Sequence, residues 1–189
     1  MHLGYVMLAP LMEIPIDPVL DLISRGEHRE ALTVCARTHG PALGRVCMAL
    51  LGSQADADEA VQETLLAAHR GFAGFRGEGS VRAWLFGIAR HVCARRLEGR
   101  RRDARLLEVV PPEGEAADGF AARRRARMVR QALEQLRPSE RDALVLRYVA
   151  ELSHREIALA CNIDEAAARK RVSRALDALR TVLPAEEIE

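Results

Sequence analysis

The stretch Ser153-His-Arg-Glu-Ile-Ala-Leu-Ala-Cys-Asn-Ile-Asp-Glu-Ala-Ala-Ala-Arg-Lys-Arg-Val-Ser-Arg174 decides how the carboxyl-terminal part of this chain folds. It predicts a short helix over Ser153–Ala160, a tight turn at Cys161-Asn-Ile163 and a longer helix over Asp164–Leu183. This order is typical of a helix-turn-helix module, in which the second helix enters the major groove of duplex DNA.

The longer helix has two opposite faces. Its apolar stripe comprises Ala168, Val172, Ala175, Leu176 and Leu179. Its outer face is mainly basic and comprises Lys170, Ser173, Arg174 and Asp177, flanked by Arg169 and Arg171. Arginine can bond a phosphate or the edge of a guanine, so this face predicts a contact with duplex DNA. An ordinary amphipathic helix with a solvated charged face is the alternative.

The composition favours helices along the whole chain. Of its 189 residues, 49% are apolar but only 4% are aromatic, and the abundant Ala and Leu are strong helix formers. No segment has the alternating pattern of a β-strand. The length suits one large domain or two small ones, and we expect an all-α fold of two small helical domains.

The helical segments fall into two groups. The first domain is predicted at residues 17–102, with helices over Pro18–Thr38, Pro41–Leu51, Asp58–Arg70 and Ser80–Leu97. The second domain is predicted at residues 121–184, with helices over Ala121–Leu136 and Glu140–Tyr148 before the two described above. Residues 1–16 are expected to be a disordered extension and residues 185–189 a short tail.

A flexible acidic linker is predicted at residues 103–120. Pro111-Pro112 and two following glycines interrupt the helical pattern. Residues 108–118 contain four acids and no base, whereas residues 95–105 contain six arginines. The net charge of +1 therefore averages over opposed segments. Two basic surfaces joined by an acidic tether indicate a protein that binds nucleic acid at two points.

The scattered cysteines do not predict a disulfide framework in a chain of this length. Cys35 and His39, four residues apart, could in principle hold a metal together with Cys47, His91 and Cys93. Cysteines inside helices are more often buried apolar residues, so we expect neither a metal nor a cofactor. Residues 1–16 lack the basic start of a signal peptide, and a reducing cytoplasm is the expected setting.

Several blocks of the first domain resemble the second conserved region of bacterial sigma factors. These blocks are Gly40-Pro-Ala-Leu43, Asp56-Ala-Asp-Glu-Ala-Val-Gln-Glu63, Phe75-Arg-Gly-Glu-Gly-Ser-Val-Arg-Ala-Trp-Leu85 and Ile88-Ala-Arg90. Blocks that resemble the fourth region are Leu133-Glu-Gln-Leu-Arg-Pro-Ser-Glu-Arg141, Glu156-Ile-Ala158 and Arg171-Val-Ser-Arg174. With only these two regions and a short linker, the chain resembles the extracytoplasmic-function (ECF) group over roughly residues 19–183, apart from the linker.

The resemblance implies two binding surfaces in the first domain. The β′ clamp helices of RNA polymerase core would contact Asp58, Glu59, Gln62, Glu63 and Leu66. The unpaired non-template strand of the −10 element would contact Phe75, Arg76, Gly77, Ser80, Arg82, Phe86, Arg90, Arg95 and Arg96. The residues alone leave Phe86 open, because an exposed aromatic can stack a base or pack under a neighbouring helix.

The resemblance also implies partners for the rest of the chain. The basic face of residues 169–174 would bind the −35 duplex, and its domain would rest on the β flap. The acidic linker would run toward the active-site channel and the RNA exit path. A cognate anti-sigma factor, often membrane-bound in this family, would hold this cytoplasmic, nucleoid-associated protein inactive.

The sequence departs from the family pattern at several positions. Leu65 stands where phenylalanine is usual, and His91 where asparagine is common. The recognition helix opens with Asp164-Glu-Ala-Ala-Ala168 instead of a Pro-x-Gly-Thr-Val-like run, and Lys170 replaces a small hydroxyl residue. These changes leave the −35 sequence unpredictable.

Two other classes of protein fit parts of the pattern. A free-standing helix-turn-helix regulator would bind duplex DNA without polymerase, but it leaves the blocks at 56–63 and 75–85 unexplained. A protein-interaction adaptor would carry its basic helices as solvated surface. The chain has no catalytic triad, phosphate-binding loop or clustered acidic pair, so we do not expect an enzyme.

Overall fold

The computed structural model describes residues 17–75, 77, 79–107 and 120–182. These residues form α-helices and one 3-10 turn, without a strand, which confirms the all-α prediction. The helices are α1 Pro18–Ser24, α2 His28–Leu51, α3 Gln54–Gly71, α4 Val81–Leu107, α5 Phe120–Gln135, α6 Pro138–Tyr148, α7 His154–Cys161 and α8 Glu165–Val182. The predicted extension, the tail and residues 108–119 of the predicted linker lie outside the described residues.

The first chain break differs from the prediction. The sequence predicts a break at Gly40-Pro41, yet α2 continues through Pro41 and the chain turns instead at Gly26. Gly26 has a φ of 76° and caps α1 in the left-handed conformation that glycine adopts without steric cost. Gly40 has no Cβ to clash with the ring of Pro41, so the helix can pass this position.

Helices α1 to α4 form the first domain, with α3 and α4 packed on the long α2. Its largest fully buried side chains are Phe72, Phe86, Leu43, Leu85, Val46 and Val81. Ser53 caps α3 and Ser80 caps α4, each by accepting a backbone N–H, as the pattern of N-cap residues predicts. The expected helix over Asp58–Arg70 is therefore confirmed within a slightly longer α3.

Helix α4 extends further than predicted. The arginine-rich segment after Leu97 continues as helix to Leu107, five residues into the predicted linker. Arg100 donates to the carbonyl of Leu51 at 2.9 Å and pairs with Asp56. These contacts hold the extra turns against α2 and α3, a tertiary effect that local propensity does not report.

Helices α6, α7 and α8 form the helix-turn-helix module of the second domain. Ser153 and Glu156 form a capping box at the start of α7, and Asn162 ends this helix in the left-handed conformation with a φ of 52°. The side chain of Asp164 then caps α8 by accepting from Ala167 N at 2.7 Å. The predicted short helix, tight turn and longer helix are therefore confirmed.

The two domains pack on each other. Helix α4 lies against α7, and α2 lies against α6, so most of the buried side chains of both domains form one continuous apolar cluster. The sequence pattern does not predict this arrangement. Within the described part of the chain, no helix is both long enough and apolar enough to cross a membrane.

Candidate protein and nucleic-acid interfaces

The outward face of α3 carries polar side chains around one exposed apolar residue. Asp58, Glu59 and Gln62 are exposed, and Leu66 is 58% exposed. The opposite face is buried through Ala57, Ala60, Thr64 and Ala68. An apolar centre within a polar rim is the anatomy of a protein-binding surface, and the structure brings together all five residues that the sequence groups on this helix.

Arginines of α4 pair with two of these acids. Arg96 donates to Glu59 Oε2 at 2.9 Å through Nη1 and to Glu63 Oε2 at 3.3 Å through Nε. Arg95 also pairs with Glu63. The hydrogen bond to Glu59, with a further contribution from Glu63, raises the pKa of Arg96 against the opposing effect of desolvation. Arg95 and Arg96, which the resemblance assigns to the −10 strand, therefore lie beside the acids that it assigns to polymerase.

The loop before α4 contains a packed aromatic pair. The ring centroids of Phe75 and Trp84 are 4.7 Å apart, and both side chains are half-buried. A Cβ at Gly71 would lie 2.8 Å from Cζ2 of Trp84, so this approach requires glycine. The sequence analysis selects Phe75 and misses Trp84, although Trp84 is the chain's single tryptophan and lies one turn after the Ser80 cap.

The loop itself bends through two glycines. Gly77 and Gly79 have φ values of 71° and 99°, a region that L side chains rarely adopt. Ser80 ends the loop, and its Oγ accepts from Ala83 N at 3.0 Å. Arg76, another residue selected from the sequence, lies outside the described residues.

Selected residues in the first half of α4 are buried or half-buried in this structure. Phe86 is fully buried, so a base cannot stack on it in this arrangement. Arg82 donates to the carbonyl of Ala150, and Arg90 Nη1 lies 3.5 Å from Asp142 Oδ2. Both partners belong to the second domain, which therefore contacts part of the face that the resemblance assigns to the −10 strand.

Helix α8 presents the basic face that the sequence predicts. The exposed residues on this face are Arg169, Lys170, Ser173 and Arg174, and Arg171 is half-buried. Ala168, Val172 and Ala175 are buried on the opposite side. Arg169 pairs with Glu165 at 2.5 Å one turn earlier, and the other selected residues remain available to a nucleic acid.

The cysteines and histidines within residues 17–182 that the structure describes do not assemble into a metal site. Among the residues that the structure describes, no group of three or more potential ligands lies close enough to hold a metal ion. Burial, with Asp17 nearby, raises the pKa of the Cys35 thiol to about 11, which opposes the thiolate form that binds metals. Cys47 of α2 and Cys93 of α4 are both buried in the core.

Comparison with known proteins identifies the family. Residues 35–103 match Sigma-70 region 2, and residues 126–179 match Sigma-70, region 4. The probable RNA polymerase sigma-C factor of Mycobacterium bovis is 34% identical over 138 residues, which cover 70% of this chain and 72% of that protein. The ECF sigma factor SigM of Mycobacterium tuberculosis is 31% identical, covering 82% and 78% of the two chains. This chain belongs to the ECF RNA polymerase sigma factors.

Another relative is matched over less than half of its own length. ECF sigma factor SigG of Mycobacterium tuberculosis is 30% identical over 165 residues, which cover 73% of this chain. The match spans only 45% of SigG, so this chain corresponds to about half the length of that relative. A free-standing helix-turn-helix regulator does not need a region 2. The match to region 2 therefore disfavours this alternative.

Solved structures share the fold. CnrH, in its complex with the cytosolic domain of CnrY, superposes with a TM-score of 0.66 and 24% identity, covering 87% of this chain and 96% of CnrH. Sigma factor RpoE from Bartonella quintana gives a TM-score of 0.62 and 22% identity, with coverage of 85% and 98%. At these identities the likeness establishes the fold alone.

Proposed function

We propose that this chain is a dissociable initiation subunit that directs bacterial RNA polymerase core to specific promoters and promotes melting of the −10 element. The observation that supports the proposal is the presence of the two matched regions, in this order, on one chain. The first region contains the acidic face of α3 around Leu66, and the second contains the basic face of α8. Such a subunit acts by binding and needs no active site of its own.

Core polymerase would bind at the α3 face. Asp58, Glu59, Gln62 and Glu63 would form a polar rim around Leu66, with the β′ clamp helices as the partner. An exposed leucine in such a rim contributes apolar area that becomes buried on binding. Arg96 supports this role, because its hydrogen bonds fix the carboxylates of Glu59 and Glu63 before polymerase arrives.

The −10 strand would bind along the loop at 75–80 and the start of α4. Phe75 and Trp84 offer aromatic faces on which an unpaired base can stack, and Arg82 and Arg90 follow on the same helix. Bases in a duplex are not available for such stacking, so preferential binding of the unpaired strand shifts the equilibrium toward melted DNA. Phe86 would belong to the core beneath this surface.

The −35 duplex would bind at α8. Arg169, Lys170, Arg171, Ser173 and Arg174 would contact phosphates and base edges in the major groove. Contacts to phosphates release counterions, so this interaction should weaken as the salt concentration rises.

The remaining partners are inferred by analogy. RpoE of Bartonella quintana, which has the same fold, is bound to an anti-sigma factor in its crystal structure, which supports a cognate anti-sigma factor for this chain. The β flap would support the second domain, and the acidic linker would occupy the RNA exit path. Such a protein would work in the cytoplasm at the nucleoid, or be held at the membrane by its inhibitor.

Reconstituted transcription with core polymerase tests the proposal. We expect Leu66→Ser to weaken binding to core by about tenfold, equivalent to about 1.4 kcal/mol, and to reduce transcript yield. Val129→Ser is the matched control, because Val129 is another partly exposed apolar residue but lies on α5. Glu63→Lys should weaken core binding more, while Arg174→Ala should keep core binding and reduce initiation that depends on the −35 element.

The same materials separate the proposed function from that of a free-standing regulator. A sigma factor needs core polymerase for specific promoter binding, whereas a regulator binds its duplex alone. Specific duplex binding without core, together with no transcript from any chromosomal promoter with core, would exclude the proposed function.

A further inference from the structure

The Glu63 side chain of α3 is shared by two arginines of α4. Arg95 pairs with its Oε1, and Nε of Arg96 lies 3.3 Å from its Oε2. Both carboxylate oxygens therefore have a partner within the first domain. The sharing joins two proposed binding surfaces, because the resemblance assigns Glu63 to core polymerase and both arginines to the −10 strand.

The two arginines are held to different extents. The Arg96 side chain is 25% exposed and also donates to Glu59 Oε2 at 2.9 Å, so it bridges two acids. The Arg95 side chain is 68% exposed, and its bond to Glu63 is the one ion pair that it forms within the described part of the chain. Arg95 can therefore leave its acid without breaking another ion pair, whereas Arg96 stays bonded to Glu59.

The pair between Arg95 and Glu63 can be replaced at little cost in free energy. Exposed ion pairs contribute little to stability, because water solvates each charge after the two separate. The guanidinium of Arg95 can bond a phosphate in place of the carboxylate, since both anions suit its planar set of donors. The carboxylate of Glu63 can in turn accept from another cationic side chain.

The charge of the α3 face indicates the chemistry of the group that would replace Arg95. Three of the four polar residues around Leu66 are acids, namely Asp58, Glu59 and Glu63. A partner with complementary charge presents lysines or arginines to such a face. A cationic side chain that approaches Glu63 competes directly with Arg95 for the same carboxylate.

We propose that Glu63 and Arg95 form an exchangeable ion pair, in which a cationic side chain of core polymerase takes Glu63 and the released Arg95 binds a phosphate of the −10 strand. Binding of core then strengthens binding of the strand, and binding of the strand strengthens binding of core by the same factor. Arg96 stays with Glu59 and keeps this acid in place. The inference rests on the proposed function, because it takes the α3 face as the core-binding site and α4 as a strand-binding helix.

The first test measures strand binding by the free chain. Glu63→Gln removes the charge that holds Arg95 and keeps the size of the side chain. We expect this variant to bind a labelled, mixed-sequence DNA single strand about threefold more tightly than the wild-type chain, the size expected for one exposed ion pair. A plot of the logarithm of the association constant against that of the salt concentration should steepen by about 0.7, the value for one added phosphate contact.

Two controls separate the release of Arg95 from the loss of a negative charge. Glu98→Gln makes the same change on α4, at an exposed acid that belongs to no ion pair in the described part of the chain, and should leave the slope as it is. Adding Glu63→Gln to an Arg95→Gln chain should also leave the slope as it is, because the side chain that would reach the phosphate is gone.

The second test measures binding to core polymerase. Arg95→Gln removes the competitor for Glu63 and should strengthen core binding by about threefold. Arg102→Gln removes the same charge from an exposed position of α4 that has no ion pair among the described residues, and it should bind core as the wild-type chain does. An arginine that only positioned Glu63 would act in the opposite direction, and its loss would weaken core binding.

The outcomes separate this inference from the proposed function. If Glu63→Gln and Glu98→Gln bind the strand alike, or if Arg95→Gln weakens core binding, the exchange is wrong and the proposed function is unaffected. If the wild-type chain does not bind core at all, the proposed function is wrong and the coupling falls with it. A steeper slope that requires Arg95, together with tighter core binding by Arg95→Gln, supports the exchange.

Discussion

Helix α4 carries two sets of arginines that lie in different environments. Near its middle, Arg96 pairs with Glu59 of its own domain, and the Glu59 side chain is 65% exposed. In the first half of the helix, Arg90 pairs with Asp142 of the other domain, and these two side chains are only 18% and 11% exposed. Exposed ion pairs contribute little to stability, whereas removing one partner of a buried pair is costly.

This difference in exposure indicates what each set of arginines does. The exposed pairs orient acids on the surface of their own domain. The buried pair exists only while the two domains are in contact, so it contributes to the packing of one domain on the other. The same residue type on one helix thus lies at the surface of its own domain at one place and in a contact between the two domains at another.

The largest expected effect comes from the buried side of α4. Phe86→Ala should destabilise the protein by about 3–5 kcal/mol, because it removes a fully buried aromatic ring from the core. Urea unfolding measures this change. Phe75→Ala, at a half-buried position, should cost less, and an equal cost for the two would contradict the assignment of Phe86 to the core.

The Arg90–Asp142 pair should show strong coupling. A double-mutant cycle with Arg90→Ala and Asp142→Ala should give a coupling free energy of about 1–3 kcal/mol in urea unfolding, because each single change leaves a buried charge without its partner. Additive effects of the two changes would mean that the domains are not in contact in solution.

The Arg96–Glu59 pair should show weaker coupling. The corresponding cycle with Arg96→Ala and Glu59→Ala should give about 0.2–1 kcal/mol, because water screens this exposed pair. The coupling should fall further at high salt. A coupling larger than that of Arg90 and Asp142 would reverse the comparison between the two sets.

The smallest expected effect is a pH dependence at His39, which lies near the interface. Burial, with the charge of Arg82, lowers the pKa of His39 from 6.5 against the opposing charge of Asp17. The unfolded chain then binds this proton more readily, so the stability from His39 is complete above pH 6.5 and is lost as the pH falls through the lowered pKa.

His39→Gln should therefore flatten the change in unfolding free energy between about pH 7.5 and pH 5.5. Some slope should remain, because burial also lowers the pKa of His91. An unchanged slope in the variant would show that His39 is not buried in the folded chain.

Much of the fold follows from local signals in the sequence. Ser80 and Ser153 stand at the predicted starts of two helices, since a hydroxyl that accepts a backbone N–H caps a helix wherever the helix later packs. The basic face of α8 was also predicted, because the apolar stripe on one side fixes which residues point outward. The polar face of α3 around Leu66 was selected only through the resemblance to a family.

Other features of the fold could not be predicted from local sequence patterns. The chain turns at Gly26, whereas the helix continues through Pro41. Tertiary packing decides at which of these two glycine-containing segments a helix ends. The extension of α4 to Leu107 depends on contacts of Arg100 with Leu51 and Asp56, residues far away in the sequence. Trp84 and Asp142 escaped selection because their partners come from other elements.

The sequence by itself determined the helices, their caps, the outward faces of α3 and α8 and the resemblance to a family, because periodicity and capping act over one or two turns. Only the tertiary structure decided that Phe86 is buried, that Arg95 and Arg96 face the acids of α3 and that the second domain covers α4. These outcomes depend on contacts between residues distant in the chain, whose free energy is set by burial and geometry and leaves no local pattern.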